Sequence, residues 1–305
     1  MRIVVLGAAA GGGVPQWNCN CKVCNAARSG HPELRATQAS LAVSADGRHW
    51  FLINASPDLR QQIVANSQLH PEAGRLRHSP IAGVILTNGE VDAVAGLLSL
   101  REGWPFTIYA HETVLAALKA NSIFNVLDDK RVPRVPIAFD VSFSPTLPDG
   151  SPSGLEVTPF AVAGKKAWYL EGEAGDDSEG DTLGLRIADT ASGQCFYVVA
   201  ACAGIDGDLK SRLHGAPLVF FDGTLWHDNE LIEAGLGHKT GRRMGHISMS
   251  GKGGAIAALA DLGITRKIFL HINNSNPAWL HGSAERDAVT KAGWEIPSDG
   301  TEIVI

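Results

Sequence analysis

The sequence has no long run of lysine and arginine, and its formal net charge is −6. A nucleic-acid partner is not expected, because binding a phosphate backbone needs clustered cations. No apolar stretch approaches the roughly 20 residues that cross a bilayer as a helix, so membrane insertion is not expected either. A disulfide framework is also missing. Five cysteines is an odd number, and three of them fall within six residues, a spacing that suits a metal better than paired bridges. Nor does the start read as a secretory leader. Arg2 precedes Ile3-Val4-Val5-Leu6, but that apolar run is too short and breaks into glycines. A first β-strand entering a Gly-rich loop is expected instead, and with it a cytoplasmic location. No repeat or linker divides the 305 residues, and 45% hydrophobic content is enough for a large core. One domain, residues 1–305, is the expectation.

What is present centres on Ile85-Leu86-Thr87-Asn88-Gly89-Glu90-Val91-Asp92-Ala93-Val94-Ala95-Gly96-Leu97. It begins as the end of an apolar strand, Ile81 to Leu86. It ends as a helix whose apolar residues Val94, Leu97, Leu98 and Leu100 roughly fit helical spacing. Open α/β sheets place ligands at such carboxyl ends of strands. Asn88, Glu90 and Asp92 recur at every second position, which in extended chain points three oxygen-bearing side chains the same way. Such a cluster suits a hard divalent metal. The same residues also have purely structural readings: Asn88-Gly89 as a hairpin turn, and Asp92 as the N-cap of a helix from Ala93.

Gly7 to Gly13 follows the first strand but does not match a dinucleotide fingerprint, since Pro15, Trp17 and cysteines stand where the helix should start. In Asn18-Cys19-Asn20-Cys21-Lys22-Val23-Cys24, three thiols at short spacing suit one face of a tetrahedral zinc site. The alternative is three buried thiols packing as small hydrophobes.

Further along, Gln38 to Ala55 reads as a hairpin around Ala45-Asp46-Gly47, and Ser56-Pro57-Asp58 opens a helix with Pro57 at its first position. Phe106 to Ala110 reads as strand, His111 to Ala120 as helix, and Lys130 to Gly154 as irregular. Strands follow at Leu155 to Phe160 and Lys166 to Leu170, then an acidic loop, Glu171 to Asp181. Leu183 to Ala188 and Cys195 to Ala200 form a second hairpin. Leu218 to Phe221 leads to Asp222, the basic loop Gly235 to Gly245 to His246, and Lys267 to Leu270 to His271. Ala255 to Leu262 reads as helix and Thr301 to Ile305 as a last strand. Strands with helices between, in two halves, fit a four-layer αββα sandwich.

The central stretch resembles the metal signature of the metallo-β-lactamase superfamily, His-x-His-x-Asp-His between an apolar strand and a Gly-Leu helix. Asn88 and Glu90 stand at the first two histidines, Asp92 keeps the aspartate and Ala93 replaces the last histidine. Gly164 falls at the third-motif histidine, Ala201 or Cys202 at the bridging aspartate, and His271 at the final histidine. The resemblance implies the αββα fold. Cys19, Cys21 and Cys24 match the structural zinc motif of the branch that includes the cyclic phosphodiesterase of phosphonate breakdown. That branch's fourth zinc ligand falls at Asn274. Pro15 to Cys21, Asp222-Gly223-Thr224 and His271 to Pro277 narrow the resemblance to a family of pyrroloquinoline quinone (PQQ) biosynthesis proteins, over essentially the full chain.

That resemblance implies hydroxylation of the tyrosine ring of a Glu-Tyr-derived precursor, using Fe2+ and O2, in a homodimer. It also implies an alternative, a carrier of PQQ or its precursor to the periplasm. On the hydroxylase reading Glu90, Asp92 and His271 hold one Fe2+, with Asn88 as an optional ligand. One imidazole and two carboxylates form a hard set that favours Fe(II) or Mn(II) over zinc. His246 would act as acid or base or contact the substrate, or cap a helix at Ile247-Ser248. Asp222 lies at a further motif position at the site mouth. Arg242 and Arg243 would hold substrate carboxylates bidentately, or serve as ordinary surface charges.

Overall fold

The structure is a computed structural model that describes residues 1–170 and 181–305. The first half of the chain lays down β1 (Arg2–Gly7), β2 (Ser40–Ser44), β3 (Trp50–Ile53), β4 (Ile81–Ile85), β5 (Thr107–Ala110) and β6 (Arg134–Pro136). The second half lays down β7 (Leu155–Ala161), β8 (Leu183–Asp189), β9 (Cys195–Val199), β10 (Leu218–Asp222), β11 (Arg266–Leu270), β12 (Trp294–Glu295) and β13 (Thr301–Val304). The helices are α1 (Lys22–Ser29), α2 (Leu59–Ala65), α3 (Val91–Val94), α4 (Glu112–Ala120), α5 (Gly207–Leu213), α6 (Glu230–Glu233), α7 (Ala255–Ala258) and α8 (Ala284–Lys291).

Two sheets result, in the orders β13-β1-β2-β3-β4-β5-β6 and β12-β11-β10-β9-β8-β7. The last strand returns to the first sheet, where Ile303 faces Ile3 across an antiparallel pair. In the first sheet, alternate residues go to opposite faces, as the strand period of two requires. Ile3, Val5, Leu41, Val43, Phe51 and Ile53 pack with residues of the second sheet, among them Val157, Leu185 and Phe196. Val4, Leu6, Ala42, Trp50, Leu52 and Val84 turn the other way, against Leu59 of α2, Val94 of α3 and Val114 and Leu118 of α4. Leu209 and Leu213 of α5, Ala255 of α7 and Val289 of α8 join the second sheet's cluster. This is the αββα sandwich. Both faces of each sheet are covered, so the strands read as continuous apolar runs rather than strict alternation.

β3, β4 and β5 are parallel, and so are β9, β10 and β11. Their carboxyl ends carry the loops that build the site. The Gly-rich loop after β1 stitches the two sheets together: Ala10 donates to the Ile272 carbonyl at 2.8 Å, and Ile272 donates to the Ala8 carbonyl at 2.8 Å.

Several local expectations are corrected. β4 pairs in parallel on both sides, so Asn88-Gly89 is not a hairpin turn. α3 starts at Val91 with Glu90 at its N-cap position, so Asp92 lies inside the helix rather than capping it. α2 begins at Leu59, because Ser56 turns its hydroxyl to Gln62 and Asp58 accepts from the Gln38 amides instead of capping. Residues Trp168–Leu170 form a short 3-10 turn, not a strand. α7 has only four residues, and α1, α5 and α8 arise where no element was expected. The edge strand β6 lies in the segment expected to be irregular. Apart from Asp181, the acidic loop Glu171 to Asp181 lies outside the described residues.

Candidate metal centre

The loop after β4 and the loop after β11 meet face to face. His271 Nε2 lies 2.7 Å from Asp92 Oδ2, although 179 positions separate the two in sequence. Both side chains are less than one-fifth exposed. Burial alone would raise the Asp92 carboxyl, but the His271 hydrogen bond and charge, with His246 nearby, outweigh it and hold Asp92 below its usual range. Burial alone would likewise lower His271; the bond to Asp92 and the charges of Asp92, Asp222 and Glu90 carry it above its usual range. His271 sits at φ 57°, left-handed backbone that non-glycine residues seldom adopt. A backbone held this way costs about 1–3 kcal/mol and clusters at functional sites.

Behind this pair lies a polar network. Asp222, at the end of β10, is fully buried. It accepts from the Cys202 amide at 2.9 Å and the Thr224 amide at 3.0 Å. His246 Nδ1 is 2.8 Å from Asp222 Oδ2, so Nε2 is the His246 nitrogen left for chemistry. No helix begins at Ile247, which removes the helix-cap reading. The Thr224 hydroxyl touches Asp222, His246 and His271 at once, and the two imidazoles stack with centroids 4.9 Å apart. Gly11 faces Asp92 from the first loop, where a Cβ would lie 3.5 Å from Oδ2.

The other expected ligands sit differently. Asn88 is buried, and its Oδ1 accepts from the Glu90 amide at 3.0 Å, so it shapes the turn. Glu90 pairs with Lys165 at 3.0 Å. Asp222, His246 and His271 also bring ligand-type atoms within 4.8 Å of one another. However, the Thr224 oxygen lies 2.7–3.0 Å from an atom of each of them. The side of His271 left open is therefore Nε2, which faces Asp92. Arg242 and Arg243 lie in a 3-10 turn and are exposed.

Cys19, Cys21 and Cys24 bring their sulfurs within 4.8 Å of one another. Cys21 is the N-cap of α1. Asn274 Nδ2 lies 3.3 Å from Cys24 Sγ and 3.7 Å from Cys21 Sγ. Burial, and the crowding of its neighbours' sulfurs, push the Cys21 thiol up to about 11. A cation among the sulfurs would reverse that penalty, so the donor set fits a soft ion.

A model of the β-lactamase superfamily domain matches residues 49–272. Relatives named coenzyme PQQ synthesis protein B, from Rhodopseudomonas palustris (strain BisB5) and Bradyrhizobium diazoefficiens, are 69% and 67% identical, with 100% of each chain covered. The chain belongs to the coenzyme PQQ synthesis protein B family. Among solved structures, the zinc-bound family member from Methylobacterium extorquens is 48% identical, with a TM-score of 0.94 and 100% of both chains covered. A diphosphatase of the PhnP family shares the fold at 20% identity, with a TM-score of 0.69 over 100% of this chain and 97% of its own.

Two residues of the site escaped sequence reasoning: Thr224, which appeared only as part of a turn motif, and Lys165. The adjacent Gly164, at the position of a missing histidine, was the available pointer to Lys165.

Proposed function

We propose that the chain acts in PQQ biosynthesis as a metal-dependent oxygenase that hydroxylates the tyrosine ring of a Glu-Tyr-derived precursor. The observation that carries this reading is the convergence of Asp92 and His271, from opposite sheets, at one point backed by a buried hydrogen-bond network. The donors fit a hard divalent ion. One carboxylate and one imidazole share a spot, Glu90 stands on the same loop, and too few imidazoles remain for the usual zinc pair. Asp92 and His271 hold the ion, with Glu90 as a further carboxylate within the same turn.

Iron, when bound, supplies the activation of O2 for insertion into the ring. In the net reaction a ring C–H becomes C–OH, O2 is consumed with two electrons from an external donor and two protons, and water is the second product. His246, anchored through Nδ1 to Asp222, presents Nε2 as the group that takes the phenolic or ring proton. Arg242 and Arg243 hold the precursor's carboxylates bidentately. Cys19, Cys21 and Cys24 hold a structural Zn2+ with Asn274 beside them, a reading supported by the zinc in the Methylobacterium extorquens relative.

Anaerobic loading with Fe(II), exposure to O2 and a reductant, and mass spectrometry of a Glu-Tyr dipeptide provide the test. One added oxygen per turnover is expected, and His246→Gln should cut the rate by 10²–10⁴-fold. Dipeptide bound but recovered unchanged would overturn the oxygenase in favour of a carrier.

A further inference from the structure

We infer that Thr224 is a positioning residue that aims both site imidazoles and bars a metal ion from the buried side of the cluster. The inference rests on the reading of His271 as a metal ligand and extends it to a residue that touches neither ion nor substrate. Thr224 Oγ1 lies 2.7 Å from Asp222 Oδ1, 2.9 Å from the His271 carbonyl oxygen, 2.9 Å from His271 Nδ1 and 3.0 Å from His246 Nδ1. A hydroxyl has one proton and two lone pairs. Asp222 Oδ1 and the His271 carbonyl can only accept, so the proton goes to one of these oxygens. Toward the ring nitrogens the hydroxyl therefore accepts, which requires a proton on each Nδ1. The Asp222 carboxylate oxygen 2.8 Å from His246 Nδ1 asks for the same tautomer.

Two consequences follow from this one side chain. In their neutral forms His271 and His246 both carry their lone pair on Nε2. For His271 that nitrogen is the one facing Asp92; a partner on the far nitrogen is how metal-ligating histidines are usually oriented. The second consequence is exclusion. Asp222, His246 and His271 could otherwise serve as a three-ligand site, but their inward atoms converge on the Thr224 oxygen. The hydroxyl takes the place an ion would need. Its oxygen lies 2.9 Å from the carbonyl of His271, the residue whose backbone is left-handed.

Mn(II) is the probe, because it is hard, suits oxygen and imidazole ligands and binds thiolates poorly. Its affinity is measured from the EPR signal of free Mn(II) for wild type, Thr224→Ser and Thr224→Val. Serine keeps the hydroxyl and should bind as wild type. Valine keeps the volume but not the hydroxyl, and should lose about 10–100-fold in affinity, with the zinc content of the cysteine loop unchanged. Equal affinity in folded Thr224→Val would overturn the inference. Should valine prevent folding, two-bond ¹H–¹⁵N spectra of zinc-loaded wild type decide. His271 should show a protonated Nδ1 and a metal-bound Nε2, and a metal-bound Nδ1 would overturn it. If wild type binds Mn(II) no more tightly than Asp92→Asn, the metal reading itself has failed, a result distinct from equal binding by the Thr224 variants.

Discussion

A carboxylate and an imidazole in contact at 2.7 Å with most of their surface covered depend on each other. Removing one partner leaves the other buried without its counter-charge. Asp92→Ala and His271→Ala should each abolish high-affinity Mn(II) binding and product formation; turnover at the wild-type rate in either would remove that residue from the site. At the cysteine loop the expectation is separable. Cys21→Ser should lose one equivalent of zinc by elemental analysis and lower the melting temperature, while Mn(II) binding at Asp92 and His271 persists. Unchanged zinc content would show that the three sulfurs hold no ion. Asp92 and His271 were legible as site residues because each follows an apolar strand within a recognisable motif, His271 directly and Asp92 in the helix after the loop. Thr224 was not. Its importance lies in the simultaneous reach of one oxygen to residues up to 47 positions away, and no local pattern encodes that.

Elements matter here for how firmly they hold the loops. α3 is pinned to the end of β3: Ala55 donates to the Ala93 carbonyl at 2.7 Å, and Gly96 donates to the Ala55 carbonyl at 2.8 Å. A Cβ at Gly96 would lie 2.0 Å from the Ser56 carbonyl oxygen, and backbone cannot step aside as a flexible side chain can. Gly96→Ala should cost about 3 kcal/mol by overpacking and weaken Mn(II) binding, as urea titration and EPR would show. Wild-type values for both would mean that the loop tolerates displacement.

The β2–β3 hairpin gives a prediction in pH. Its turn is tied by Asp46, which accepts from the Arg48 and His49 amides, both at 2.8 Å, and from Ser44. Partial burial opposes the charge, but the His49 amide and ring, with the Arg48 amide and Ser44, hold the carboxyl down at about 2, from an ordinary 3.8. A depressed acid stabilises the fold above its unfolded value and stops doing so as pH falls through its folded one. Asp46→Ala should therefore be less stable by about 1 kcal/mol at neutral pH. Its melting-temperature gap to wild type should close between pH 3.8 and about 2; a gap independent of pH would show that the carboxylate's charge is irrelevant to the turn. This hairpin could be read in advance because alternation and turn residues are local. Lys166 to Leu170 was misread for the opposite reason. Its aromatic residues suit a strand, but Tyr169 donates its hydroxyl to the Gly89 carbonyl at 2.8 Å, a tertiary tie at the central loop.

For the whole molecule, the decisive feature is that each sheet contributes one half of the metal pair. Asp92 follows β4 of the seven-stranded sheet, and His271 follows β11 of the six-stranded one. The two-halved layout was readable from the run of apolar segments, but not the strand order, in which the last strand returns to the first sheet. The facing of these two loops was readable only through the superfamily resemblance, since periodicity does not say which loop ends meet. The backbone bonds between Ala8, Ala10 and Ile272 already join the sheets beside the site, so an ion shared by Asp92 and His271 closes the sandwich at the same end. An ion that binds only where both sheets are in register binds only the folded chain. At 100 times its dissociation constant it adds about 2.7 kcal/mol of stability, which for a chain of this size corresponds to a rise of roughly 5 °C in melting temperature. Wild type with Mn(II) should show that rise, and Asp92→Asn should show none at the same concentration. An equal rise in both proteins would mean that the ion sits elsewhere, and that the two sheets meet at this point without sharing a metal.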